Sequence, residues 1–182
     1  MSDRASPLGA DFKPGQYGNI AGGPGVRLSE IDFGFVGELA AFPGSLEKIE
    51  KIVASASTAE DILAFKIAAN RWFLAGPATL ADAIAPKLKP ADGSLADLTH
   101  GRAALRISGP KAEWVLSKLY AIDFSLAAFP ISTGLSTTHH SVFTQISRTD
   151  EVTFDLFVFR SFARSFLHTL QRVAEETGYE VV

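Results

Sequence analysis

Along the chain the spacing of apolar residues switches repeatedly between two and about 3.6, and the switches mark strands and helices. Val26–Asp32 and Phe33–Ala41 read as strands, with Ile31, Phe33 and Phe35 on one face. A helix is expected after Gly44-Ser45, where Leu46, Ile49, Ile52, Val53 and Ala56 share one face. Strands Ile62–Ile67 and Arg71–Ala75 follow. A short helix beyond Gly76-Pro77 then turns Leu80, Ala81 and Ile84 inward and ends at Pro86. The order then recurs: strands Ser94–Thr99 and Arg102–Ile107, a helix Pro110–Leu119, strands Thr137–Arg148 and Val152–Phe159, and a helix Ser161–Glu176 that Gly178 is placed to stop.

Both halves therefore read strand, strand, helix, strand, strand, helix. This predicts an α+β fold with an internal duplication inside a domain spanning 26–182, the halves covering about 26–92 and 93–182. Strand Val152–Phe159 carries Val152, Phe154, Leu156 and Val158 on one face and Phe157 and Phe159 on the other, so it is expected at the centre of a sheet covered on both sides. Asp155, set among those aromatics, is expected to be a hydrogen-bonded carboxylate rather than a catalytic acid. In the final helix Phe162, Ala163, Phe166, Leu167, Leu170, Val173 and Ala174 face inward and His168 faces out. Residues 1–25 hold nine of the chain's 24 Gly and Pro and few large apolar side chains. Such a composition does not offset its own ordering entropy, so 1–25 is expected to be a flexible arm that orders only against something else.

Composition and charge narrow the function classes. With 17 Lys+Arg against 20 Asp+Glu there is no basic excess of the kind nucleic-acid binders show. The absence of cysteine excludes thiol catalysis, Cys-type zinc sites and disulfides. No apolar run approaches the ~20 residues of a membrane span. Met1-Ser2-Asp3-Arg4 leads into Pro7 and Gly9 without the apolar core of a signal peptide, and a cytoplasmic location is expected.

Candidate chemistry is sparse. The four histidines, His100, His139, His140 and His168, form no His-x-x-x-His or His-x-His pair, and neighbours such as His139 and His140 on a strand point to opposite faces. Ser161 lacks the glycines of a nucleophile elbow and is expected to cap the last helix, where Arg160 and Arg164 suit an anion or an ion pair with a neighbouring chain. In helix Pro110–Leu119 the inward stripe is Ala112, Val115, Leu116 and Leu119. That places Trp114 outward, as an anchor for a partner or a ring covered locally by Lys118. No catalytic, cofactor-binding or metal-ligating residue is expected. Trp114, Lys118, Arg160 and Arg164 are the candidate partner interface.

Several motifs in the second half carry a family resemblance. They are Asp97-Leu98-Thr99-His100-Gly101-Arg102, Ile107-Ser108-Gly109-Pro110, Ile122-Asp123-Phe124, Ala128-Phe129-Pro130 and Arg160-Ser161-Phe162-Ala163-Arg164-Ser165. With Ala41-Phe42-Pro43-Gly44 and Arg71-Trp72 in the first half, they resemble the gamma subunit of heterotetrameric sarcosine oxidase, itself similar to the duplicated folate-binding T-protein of the glycine cleavage system. The resemblance implies a non-catalytic subunit, inactive alone, partnered by alpha, beta and delta subunits in a complex that oxidatively demethylates sarcosine to glycine. Formaldehyde or methylene-tetrahydrofolate and hydrogen peroxide are then the other products. FAD, FMN and NAD are implied in the large partner subunits, zinc in the smallest, and tetrahydrofolate among the partner subunits. A stand-alone tetrahydrofolate-binding one-carbon transferase and a subunit of a related N-methyl amine oxidase are the alternatives. The first is disfavoured because residues 131–149, where the T-protein carries a functional carboxylate, contain no Asp or Glu.

Overall fold

In the computed structural model, which describes residues 6–58 and 61–182, eleven strands and four α-helices follow one another. The first stretch runs β1 (Gly15–Tyr17), β2 (Val26–Ile31), β3 (Phe35–Ala41), α1 (Leu46–Ala56), β4 (Leu63–Ala68), β5 (Arg71–Gly76) and α2 (Thr79–Ile84). The second runs β6 (Gly93–Asp97), β7 (Arg102–Ser108), α3 (Ala112–Leu119), β8 (Gly134–His139), β9 (Val142–Asp150), β10 (Thr153–Phe159), α4 (Ala163–Ala174) and β11 (Tyr179–Val181).

The strands form two sheets, ordered β1-β11-β2-β7-β10-β9-β8 and β4-β5-β3-β6. The strand, strand, helix, strand, strand, helix order is present in the first half, the second half has three strands, β8, β9 and β10, before its last helix, and the first strand of each half is exchanged. Strand β2 pairs antiparallel with β7 of the second repeat, Leu28 opposite Ile107. Strand β6 pairs antiparallel with β3 of the first, Leu95 opposite Leu39. The chain accordingly divides into one unit of the residues up to Ile31 with Ala103–Val182, and another of Asp32–Arg102. Consecutive halves at about 26–92 and 93–182 are not what is seen. Periodicity locates strands but carries no information on which partner each one takes.

In the smaller unit, α1 and α2 cover one face of the four-stranded sheet, with Ile49, Ile52, Val53, Leu80 and Ile84 packed on Phe35, Leu39, Trp72 and Leu74. Leu46, expected in that stripe, is exposed. At ~100° per residue it sits about 70° from the stripe's centre. In the larger unit, α3 and α4 pack on Leu28, Leu105, Ile107, Ile146, Phe154, Leu156 and Val158. Residues Phe154 to Val158 of β10 are all buried, as the two-sided apolar pattern requires.

Three boundaries differ from the sequence reading. The single strand expected at Thr137–Arg148 is a hairpin of β8 and β9, turned at His140, whose φ of 50° interrupts the extended backbone. Ser161 does not cap α4: it lies in a 3-10 turn, Arg160–Phe162, and α4 begins at Ala163 with no side-chain cap bond. Within 6–25 of the expected arm, β1 pairs with β11, Tyr17 stacks on Tyr179 at 5.2 Å, and Leu8 is fully buried in the larger unit's core. Residues 1–5 of that arm lie outside the described residues. One buried leucine and a strand pairing supply local contacts that a count of glycine and proline does not register.

Candidate functional site

The motif residues shared with the resembling family serve, one after another, to fix backbone. Asp97 Oδ1 accepts the Thr99 N–H at 2.8 Å, and the buried Thr99 Oγ1 accepts the Val36 N–H at 2.9 Å, joining the end of β6 to the start of β3. Gly109 has a φ of 119°, and a Cβ there would stand 2.8 Å from the Gly25 carbonyl oxygen. Only glycine lets β7 turn into α3 against that backbone. Asp123 Oδ1 accepts the Ser125 N–H at 2.9 Å, closing the turn after α3. Hydrogen bonds from Ser125 hold this carboxyl below the usual carboxylate range.

Phe124 and Phe129 of the same segment pack edge-on at 5.7 Å, and both meet Phe154. At the centre of this group is Arg148, which has no exposed surface. Its guanidinium donates to the carbonyl oxygens of Phe124 and Glu151 and to Glu113 Oε1 at 2.8 Å, and it lies 4.4 Å over the Phe154 ring. The main chain of the same residue accepts from Ser132 N–H at 2.9 Å and donates to the Thr133 carbonyl at 3.0 Å. One arginine thus ties α3, the 120–133 loop and the β9–β10 turn. The sequence reading passed over it, although a usable signal exists: Thr144, Ile146 and Arg148 alternate on one face of β9, so a charge occupies an inward position.

The expected interface residues fall in two places. Trp114 is half-buried against the edge of the larger unit's core, and Lys118, one turn on, stands 4.6 Å over its ring. Arg164 is exposed and donates from Nε to Asp11 Oδ2 at 2.5 Å, with His168 Nε2 3.6 Å from the same oxygen. Arg164 is therefore paired inside the chain. That hydrogen bond holds the Asp11 carboxyl below the usual range. Arg160 opens the 3-10 turn before α4.

Among other ionisable groups, Asp155 is fully buried and grips Arg106 through both oxygens at 2.7 and 2.9 Å. Burial pushes this carboxyl above the usual range, with the guanidinium pulling the other way. The same contact raises Arg106, and the two-point geometry makes the pair a structural tie between β7 and β10. Burial lifts the Tyr120 hydroxyl, 3.0 Å from Thr144 Oγ1, to about 12. Among the described residues no three His, Cys, Asp or Glu converge as metal ligands. Shallow clefts in the larger unit include one of about 210 Å³ beside Arg27 and Gly109 and one of about 280 Å³ beside Asp11 and His168. Neither holds a nucleophile paired with a base. No helix of the described residues is long and apolar enough to cross a membrane.

Comparison with solved structures agrees with this architecture. The chain is similar to a heterotetrameric sarcosine oxidase from Corynebacterium sp. U-96 solved with pyrrole 2-carboxylate, with a TM-score of 0.80 and 23% identity over 96% of both chains. It is also similar to the glycine cleavage system aminomethyltransferase T of Bartonella henselae, with a TM-score of 0.62 and 16% identity over 85% of this chain and 47% of that one. These likenesses establish the mixed α+β fold. No curated protein sequence matches the chain. The sequence model of the sarcosine oxidase gamma subunit family matches residues 41–176, a span that takes in most of the motifs whose structural work is described above, and the chain belongs to that family.

Proposed function

We propose that this protein is the non-catalytic gamma subunit of a flavin-dependent sarcosine oxidase, which demethylates sarcosine to glycine while reducing oxygen to peroxide. The observation that carries the reading is where the family's motif residues go. Thr99, Gly109 and Asp123 spend their polar groups on turns, as the neighbouring Arg148 does on buried carbonyls, and among the described residues none of them converges with a second reactive group. Family membership over 41–176 and a fold shared along nearly the whole chain with a heterotetrameric oxidase support the same conclusion.

On this reading the chemistry belongs to partner subunits of alpha, beta and delta type, which supply FAD, FMN, NAD, zinc and the tetrahydrofolate acceptor, and the assembly works in the cytoplasm. The face of α3 bearing Trp114 and Lys118, with Arg160 and Arg164 at the start of α4, is the surface offered to those partners. A stand-alone folate transferase is disfavoured by the lack of any Asp or Glu in residues 131–149.

Purification alone and in co-expression with the large subunits tests the proposal. The isolated chain is expected to be colourless and to form no peroxide with sarcosine, whereas the co-expressed chain should co-elute with a yellow, sarcosine-oxidising complex. Yellow colour, peroxide formation or tight tetrahydrofolate binding by the isolated chain would overturn it.

A further inference from the structure

His139 ends β8 and His140 opens the turn into β9. Neighbouring residues on a regular strand point to opposite faces, but His140 has a φ of 50°, in the left-handed region, and its ring is swung back. The two imidazole centroids lie 4.3 Å apart with the rings inclined at 66°. His139 is half-buried and His140 exposed, so the pair opens to solvent.

The inner ring is held in one orientation. His139 Nδ1 is 2.7 Å from the carbonyl oxygen of Leu119, the last residue of α3. A carbonyl oxygen has no proton to give, so the proton of this bond resides on Nδ1, and Nε2 of the neutral ring keeps its lone pair. A carbonyl behind Nδ1 also fixes the tautomer of metal-ligating histidines and raises their basicity. Tyr120 meets the same ring edge-on at 6.0 Å and restrains its rotation.

We propose that this hairpin is a two-imidazole site for a divalent transition-metal ion of the nickel and zinc type, bound through His139 Nε2 and a ring nitrogen of His140. No third ligand of His, Cys, Asp or Glu type joins them among the described residues, so the remaining coordination positions fall to water or to a donor from another molecule. Residues 131–149 contain no carboxylate, so the site lacks the oxygen donors that magnesium and calcium require. The inference stands on the hairpin geometry and is independent of the oxidase reading.

The test is a titration of the tag-free full-length chain with nickel chloride in excess magnesium chloride, followed by calorimetry and by amide NMR. A single saturable event is expected, with paramagnetic broadening centred on residues 138–141 and Leu119. His140→Gln, at an exposed position, should weaken binding by about tenfold or more, whereas His100→Gln should leave it unchanged. Non-saturable uptake, broadening centred elsewhere, or an unchanged affinity in His140→Gln would overturn the proposal.

Discussion

Replacing Arg148 by methionine tests the buried tie directly. Methionine keeps much of the aliphatic bulk over Phe154 while removing the charge, so the effect reports the guanidinium more than a cavity. The substitution leaves the Phe124 and Glu151 carbonyls without their donor and releases Glu113. Each carbonyl left inside without a donor costs roughly 1–3 kcal/mol, about 3–5 kcal/mol for the two together. For a chain of 182 residues each kcal/mol lowers the melting temperature by about 2–4 °C, so a drop of roughly 6–20 °C is expected. Glu113→Gln provides the contrast. The Glu113 side chain is 42% exposed and an amide oxygen still accepts, so the cost should stay within about 1 kcal/mol. Scanning calorimetry of the wild type and both variants reads the difference. A methionine variant melting within about 3 °C of wild type, or a glutamine variant as damaged as it, would refute the assignment of Arg148 as the tie.

Other expectations can be checked alongside. Leu8→Ala should cost about 2–3 kcal/mol and expose the bond after Tyr17 to chymotrypsin in limited proteolysis, because Leu8 is wholly enclosed while the residues around it are not. Arg106→Leu strands the Asp155 carboxylate. Burial already raises this acid in the folded chain, so its loss of stability should grow as pH rises from about 4, and urea unfolding should show a larger deficit at pH 8 than at pH 5. Trp114→Ala should weaken co-elution with the large subunits while costing the isolated chain less than about 2 kcal/mol by urea unfolding, since the ring is only half-buried. A larger loss in the isolated chain would assign the ring to its own core.

The alternation in β10 and the stripe of α3 were readable because both are periodic and locally determined. Asp155 was placed correctly among aromatics for the same reason, although its partner, Arg106, lies 49 positions away and no local pattern announces it. The 3-10 turn at Arg160–Phe162 escaped because a serine before an apolar helix is equally compatible with a cap or a preceding turn. Strand β11 is three residues long, too short for a period to register, and β1 exists through its pairing to it. Trp114 was assigned to the outward face by helical angle, but a side chain that large reaches the core's edge from there.

The exchange of first strands has a consequence for synthesis. As the chain leaves the ribosome, β2 emerges early, yet its ladder to β7 needs residues 102–108, and its parallel neighbour β11 arrives last, at 179–181. The four-stranded sheet, by contrast, can close once β6 is out, at Asp97. The middle of the chain can therefore mature cotranslationally while β2 waits as an unpaired edge, and the larger sheet is completed only once residues 179–181 are out. A ribosome pausing between residues 108 and 179 would hold out a strand whose second partner has yet to be made, which is where this protein is most exposed to mispairing or to capture by a chaperone.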